Sequence, residues 1–242
     1  MDIQARYQGI EERIQAACRR AGRDPDKVRL IAVSKKKPLA DIMEAWGGGA
    51  SDFGENYVQE LDEKIGEWER EMPGKDIRWH MIGHLQKNKV KYLIGRVAMI
   101  HSVDTLGLAE KIEAESAKKD TRTDLLLEVN VAGEESKWGF TPETVVAAGR
   151  AIRDYAHVRL LGLMTSAPYT LEPEENRMYF RQLRELGMEM KALGLLAEGD
   201  GLPDLPVLSM GMSGDYEVAI EEGATMVRVG TAIFGDRTAP GK

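Results

Sequence analysis

The sequence predicts a single (β/α)8 barrel, a TIM barrel, preceded by one extra helix. Three observations point to this α/β fold class. Short apolar runs alternate with helical stretches, there are eight such runs, and 242 residues are enough for one large domain. Alternation of this kind implies a parallel sheet, and eight repeats in about 240 residues fit a closed barrel. The alternative, an open doubly wound sheet, lacks the expected Gly-x-Gly-x-x-Gly turn after the first strand.

The first half of the chain supplies four strands. An opening helix over residues 2–22 is expected because its apolar residues recur on one face. Pro38 stands near the first turn of the next helix, where its missing N–H is tolerated. The predicted strands are 28–33, 51–53, 77–82 and 97–103, and the predicted helices after them are 38–46, 57–71, 86–94 and 106–118.

The second half supplies four more strands. Residues 125–131 are a near-continuous apolar run, typical of a strand that is buried on both faces of a parallel sheet. Thr141 followed by Pro142 indicates a helix start, with a capping residue and then proline at the first helical position. The remaining strands are 158–164, 207–210 and 225–229, and the remaining helices are 172–193, 215–222 and a short turn from residue 231.

Composition excludes several classes of protein. The net charge of -7 argues against nucleic acid or an anionic membrane as the main partner, since both need a concentrated basic face. The single cysteine, Cys18, excludes an internal disulfide and fits a reducing, cytoplasmic setting. No apolar run approaches the roughly 18 residues of a membrane span, and the four histidines lack metal-ligand spacing. We expect residues 1–242 to form one domain without a metal.

Candidate functional residues follow the predicted strands, because sites in this fold lie at the carboxyl ends of the strands. Glycine-rich segments follow strands seven and eight, at residues 211–214 and 230–231. Glycine lets backbone N–H groups approach an anion, so these loops predict a phosphate site. Ser213 and Thr231 could equally cap the next helices, and the two roles are compatible.

Lys35 directly follows the first strand. A lysine at the inner rim of a barrel loses solvation, which favours the neutral, nucleophilic amine. Opposite a phosphate site it could form a Schiff base with a phosphorylated aldehyde, as in pyridoxal 5′-phosphate (PLP) proteins and sugar-phosphate aldolases. The residue pattern by itself favours the simpler interpretation, a basic surface run over residues 35–37.

Several segments match a known family. The chain resembles the pyridoxal phosphate homeostasis protein family (YggS/PROSC), whose fold is that of the barrel domain of alanine racemase. The resemblance covers residues 32–235, with Lys36 standing where the family often has threonine. The matching segments include Ala32-Val33-Ser34-Lys35, residues 53–60, Trp79-His80, Gly162-Leu163-Met164, residues 209–213, Val227-Arg228 and Gly230-Thr231.

The resemblance implies a PLP site and assigns its residues. Lys35 would be the Schiff-base lysine and Arg228 the partner of the pyridine nitrogen. Asn56 and His80 would lie in or next to the site. The phosphate contacts implied by the resemblance are Ser213, Gly230 and Thr231.

The function implied is that of a PLP carrier that releases PLP to apo-enzymes, not that of an enzyme. The lack of an obvious dimerisation segment favours a monomer, and the single cysteine favours the cytoplasm. Arginine beside the pyridine nitrogen keeps that nitrogen unprotonated and makes the ring a weaker electron sink. Racemisation also needs a second acid/base, which an added domain supplies in alanine racemase, and only seven residues follow Gly235. The alternatives are an amino-acid racemase with Tyr57 or His80 as base, and a Schiff-base aldolase without PLP.

Overall fold

Eight parallel strands close into a barrel in chain order, with the first strand paired to the last. This is a computed structural model, and it describes residues 2–134, 136–199 and 201–235. The expected (β/α)8 barrel is confirmed. The strands are β1 (Arg29–Val33), β2 (Asp52–Glu55), β3 (Arg78–Met81), β4 (Met99–Val103), β5 (Thr123–Glu128), β6 (Val158–Met164), β7 (Val207–Ser209) and β8 (Met226–Val229).

Helices surround the barrel. The additional helix α1 begins after Asp2, whose carboxylate accepts the N–H of Ala5 and so satisfies one of the free donors at the helix start. Its apolar face packs against the helix that follows β1 and against the last two helices of the chain. The helices are α1 (Ile3–Arg20), α2 (Leu39–Gly47), α3 (Val58–Glu71), α4 (Leu106–Lys118), α5 (Pro142–Ile152), α6 (Arg177–Ala192), α7 (Tyr216–Glu221) and α8 (Thr231–Phe234).

Three elements differ from the expectation. The helix expected at 86–94 is a 3-10 helix, Lys87–Tyr92, and the helix expected from 172 starts as a 3-10 turn, Pro173–Asn176, before α6. The strand expected at 125–131 ends at Glu128. Val129 and Val131 follow this strand and are also buried. The apolar run therefore indicates which residues are buried and not how long the strand is.

The barrel interior is arranged in layers along the strands. An inner apolar cluster includes Met99, Val207 and Met226. Because side chains two positions apart point the same way along a strand, the next inward residues towards the carboxyl ends are His101 in β4, Ser209 in β7 and Arg228 in β8, and all three are buried. A polar layer therefore lies between the apolar interior and the carboxyl-end loops.

Within the described ranges, no helix combines the length and the apolar character needed to cross a bilayer.

Candidate functional site

A cavity of about 880 Å³ opens at the carboxyl ends of the strands. Its wall combines the loops after β1, β2, β7 and β8 with residues 166–170 of the loop after β6. Six of the seven residues predicted from the sequence line it, and His80 does not. The six are Lys35, Asn56, Ser213, Arg228, Gly230 and Thr231.

The three consecutive lysines after β1 do not share one surface. Lys35 is half-buried and lines the cavity. Lys36 is exposed and adopts a φ of 61°, a left-handed backbone conformation that residues other than glycine rarely take. Lys37 donates from Nζ to the carbonyl oxygens of Phe234, at 2.9 Å, and Gly235, at 3.3 Å. Lys35 is thus the lysine of this run that lies along the cavity.

A buried ionic cluster, here called the Lys64 cluster, lies beside this loop and consists of Ser34, Glu55, Glu60 and Lys64. The ammonium of Lys64 donates to the carbonyl oxygen of Ser34 at 2.8 Å and to the carboxylates of Glu55 and Glu60 at 2.7 and 2.6 Å. The hydroxyl of Ser34 donates to Glu55 at 2.7 Å. Burial raises the pKa of Glu55, and Lys64 opposes that rise.

The Lys64 cluster holds the backbone on both sides of Lys35. Ser34 precedes Lys35 and is bonded through both its hydroxyl and its carbonyl group. Glu60 accepts the backbone N–H of Lys36, the residue with the left-handed conformation. A strained residue persists only where its surroundings determine it. The cluster therefore defines the direction in which the side chain of Lys35 projects from the backbone.

Asn56 lies where the loops after β2 and β3 approach most closely. A Cβ atom added to Gly83 would lie 2.5 Å from the carbonyl oxygen of Asn56, so only glycine permits this approach. The side-chain oxygen of Asn56 is buried and has no hydrogen-bond partner among the described residues. A buried acceptor without a partner is costly, which marks this position as one that a ligand would complete.

Arg228 forms the floor of the cavity and is 4% exposed. Its Nη1 donates to the hydroxyl of Ser209 at 2.7 Å and its Nη2 to the carbonyl oxygen of Thr165 at 2.8 Å. Burial lowers the pKa of Arg228 to about 10, while Glu128 and Asp215 favour the charged form. The guanidinium is therefore a fixed cation at neutral pH.

The loops after β7 and β8 are joined at the cavity wall. The hydroxyl of Ser213 accepts the backbone N–H of Gly230 at 3.3 Å. Asp215 precedes α7 and Gly230 precedes α8, so neither Ser213 nor Thr231 is the capping residue of these helices. Both hydroxyl residues line the cavity.

His80 lies below the cavity, in the polar layer of the barrel, and is completely buried. Its Nε2 lies 3.0 Å from Asp52 and its Nδ1 lies 2.9 Å from Nε2 of His101. Nδ1 of His101 in turn lies 2.9 Å from the hydroxyl of Ser209. His80 is therefore linked to Arg228 through His101 and Ser209.

Sequence reasoning missed several residues around the site. His101 and Ser209 could have been found from the alternation within their strands, since each follows an inward apolar residue by two positions. Glu128 ends β5, and its pKa is raised to about 7 by burial and, to a smaller extent, by Asp104, against the effect of Arg228. The described part of the chain contains no group of three or more His, Cys, Asp or Glu side chains that could hold a metal ion.

Comparison with known proteins agrees with this geometry. The family model of the alanine racemase N-terminal domain matches residues 6–238. A pyridoxal phosphate homeostasis protein of Aquifex aeolicus is 45% identical over 237 residues, which cover 98% of this chain and 99% of that protein. The chain belongs to the pyridoxal phosphate homeostasis protein family. The resemblance noted from the sequence segments is thereby confirmed.

Solved structures extend the comparison. The structure of PipY from Synechococcus elongatus with PLP bound has a TM-score of 0.78 at 36% identity, and the match covers 93% of this chain and 100% of that one. An alanine racemase of Clostridium difficile has a TM-score of 0.71 at 11% identity, covering 97% of this chain and 58% of that one. The racemase therefore shares the barrel fold alone.

Proposed function

We propose that this protein binds PLP covalently through Lys35 and acts in PLP homeostasis, as a carrier rather than an enzyme. The observation that carries the proposal is the placement of Lys35 and Arg228 in one cavity, together with the hydroxyl and glycine residues of the last two loops. The names of the relatives and the PLP-bound PipY structure support the same reading. We further propose a cytoplasmic monomer formed by a single domain.

The residues present fit the group. PLP carries an anionic phosphate, a ring nitrogen that accepts hydrogen bonds, a phenolic oxygen and an aldehyde. Ser213, Gly230 and Thr231 offer hydroxyl and backbone donors for the phosphate. Arg228 offers a charged donor for the ring nitrogen, and the amide of Asn56, whose oxygen has no partner among the described residues, is available for a polar substituent.

When bound, PLP supplies an electrophilic aldehyde that an amine takes up reversibly with loss of one water. Lys35 provides the amine, and the Lys64 cluster holds the adjoining backbone so that the amine meets the ligand in one orientation. Arg228 remains protonated at neutral pH because its pKa is about 10. It would therefore donate to the ring nitrogen of bound PLP and leave that nitrogen unprotonated, which would weaken the ring as an electron sink and disfavour catalysis.

The visible absorption spectrum after addition of PLP tests the lysine assignment. Wild type and Lys36→Ala, the matched control, are expected to develop the band of covalently bound PLP, and Lys35→Ala is expected to lack it. Borohydride reduction followed by peptide mass mapping locates the modified residue. A band retained in Lys35→Ala, with modification of Lys36 or Lys37, would refute the assignment.

Racemisation is the competing activity, and the geometry disfavours both bases considered for it. His80 is completely buried below the cavity, and Tyr57 is 52% exposed and not part of the cavity wall. Incubation of PLP-loaded protein with L-alanine, followed by chiral analysis, should give no D-alanine. Reactivation of an apo PLP-dependent enzyme by the loaded protein should succeed, and steady formation of D-alanine would overturn the carrier proposal.

A further inference from the structure

A continuous series of hydrogen bonds runs through the barrel interior from Arg228 to Asp52. Successive distances are 2.7 Å from Arg228 to Ser209, 2.9 Å from Ser209 to His101, 2.9 Å from His101 to His80 and 3.0 Å from His80 to Asp52. All five side chains are buried. They are called the Arg228 chain below.

Burial favours the neutral form of both imidazoles in the Arg228 chain. Burial lowers the pKa of His80 and that of His101, and Asp52 only partly offsets this. The neighbouring cations act in the same direction as burial, since Arg29 and Arg78 lower the pKa of His80. For His101, Arg228 and Arg29 lower the pKa, and any charge on His80 would lower it further.

Neutral imidazoles allow the chain only one direction. Arginine can only donate, so the oxygen of Ser209 accepts from Arg228. A carboxylate can only accept, so Nε2 of His80 donates to Asp52. Each neutral ring carries one N–H, so Nε2 of His101 donates to Nδ1 of His80, and Nδ1 of His101 is left to accept from the hydroxyl of Ser209. Every bond therefore points from Arg228 towards Asp52.

We propose that Asp52, His80, His101 and Ser209 form a positioning chain that holds the Arg228 guanidinium in one orientation for its ligand. Removal of any member leaves the next buried polar atom without its partner, and the loss is transmitted to Ser209 and Arg228. The bond from Nη2 of Arg228 to the Thr165 carbonyl completes the restraint. The chain of bonds stands independently of the ligand, whereas its effect on PLP rests on the proposed function.

Nitrogen NMR of the ligand-free protein tests the chain directly. With ¹⁵N-labelled histidine, His80 and His101 should both be neutral Nε2–H tautomers at about pH 7.5, about one unit above the ordinary histidine pKa. The variants His80→Gln and His101→Gln assign the two signals. A charged ring at this pH, or an Nδ1–H tautomer, would overturn the proposal whether or not the protein binds PLP.

A matched pair of variants tests the effect on the ligand. His101→Gln keeps one donor and one acceptor at this position, whereas His101→Leu keeps neither. Leucine is expected to weaken PLP binding by about tenfold, taken from the lower end of what the loss of an outer hydrogen-bond partner costs at metal sites, and to shift the visible band of bound PLP. Glutamine should restore most of both properties.

Equal affinity and an unchanged spectrum in a folded His101→Leu protein would refute the positioning role. If wild type itself bound no PLP, the proposed function would fail, and the NMR experiment would still decide the chain.

Discussion

Replacing Glu128 by glutamine should stabilise the protein at alkaline pH and have little effect at acidic pH. Glu128 is part-buried at the end of β5, and burial together with Asp104 raises its pKa from the ordinary 4.5 to about 7. In the folded protein the carboxyl group stays protonated up to about pH 7, whereas in the unfolded chain it ionises above about 4.5. Its stabilising contribution is therefore complete below about pH 4.5 and is lost as the pH rises through about 7.

The size of this effect follows from the pKa. One pKa unit corresponds to about 1.36 kcal/mol, so a pKa raised from 4.5 to about 7 costs at most about 3 kcal/mol of stability at alkaline pH. Glutamine has the shape of the protonated acid and cannot ionise. For a chain of this length about 1 kcal/mol corresponds to about 2 °C in melting temperature, so Glu128→Gln should gain up to about 6 °C at high pH.

The assay is thermal unfolding of the ligand-free protein at about pH 5 and about pH 8.5. The melting temperature of Glu128→Gln should exceed that of wild type at the higher pH and differ much less at the lower one. Glu12→Gln, which removes an exposed carboxylate from α1, is the control and should change stability by less than about 0.5 kcal/mol at both values. An equal difference between Glu128→Gln and wild type at the two pH values would refute the reasoning.

Three further substitutions probe the surroundings of the site. Lys64→Met leaves the carboxylate of Glu55 buried without its charged partner and should lower the unfolding free energy, measured in urea, by about 3–5 kcal/mol. The double variant with Glu55→Gln should regain part of that free energy, and no recovery would contradict the pairing. Lys36→Gly removes the strain of a φ of 61° and should raise stability by up to about 1 kcal/mol, so a lower melting temperature would count against that strain. Gly83→Ala brings a Cβ to 2.5 Å from the carbonyl oxygen of Asn56 and should lower the unfolding free energy by about 1–3 kcal/mol. It should also weaken PLP uptake in an absorption titration, and unchanged uptake would show that Asn56 does not contact the ligand.

Much of the fold and of the cavity wall could be predicted from the sequence. The eight apolar runs are local features, and each depends only on residues adjacent in the chain. The glycines after β7 and β8 and the lysine after β1 could be assigned to one end of the barrel because parallel strands align their carboxyl ends. This reasoning placed Ser213 and Gly230 at one site, the family resemblance added Lys35, and all three line one cavity.

Other features depend on how the barrel closes. His101 and Ser209 are separated by 108 residues, yet their side chains form a hydrogen bond inside the barrel. The sequence pattern suggested one basic run for residues 35–37, whereas the backbone conformation at Lys36 sends the three side chains in different directions. His80 was expected in or next to the site, and only the packing of β3 against β4 places it below the floor, bonded to His101.

The sequence by itself thus determined the eight-stranded barrel, the family and most of the predicted residues that line the cavity at its mouth. Periodicity reports which face of a strand is buried, and this is a property of neighbouring residues. Only the tertiary structure decided which inward side chains meet and which hydrogen-bond partners they share. Those partners come from strands far apart in the chain, and their positions depend on the register and closure of the whole barrel.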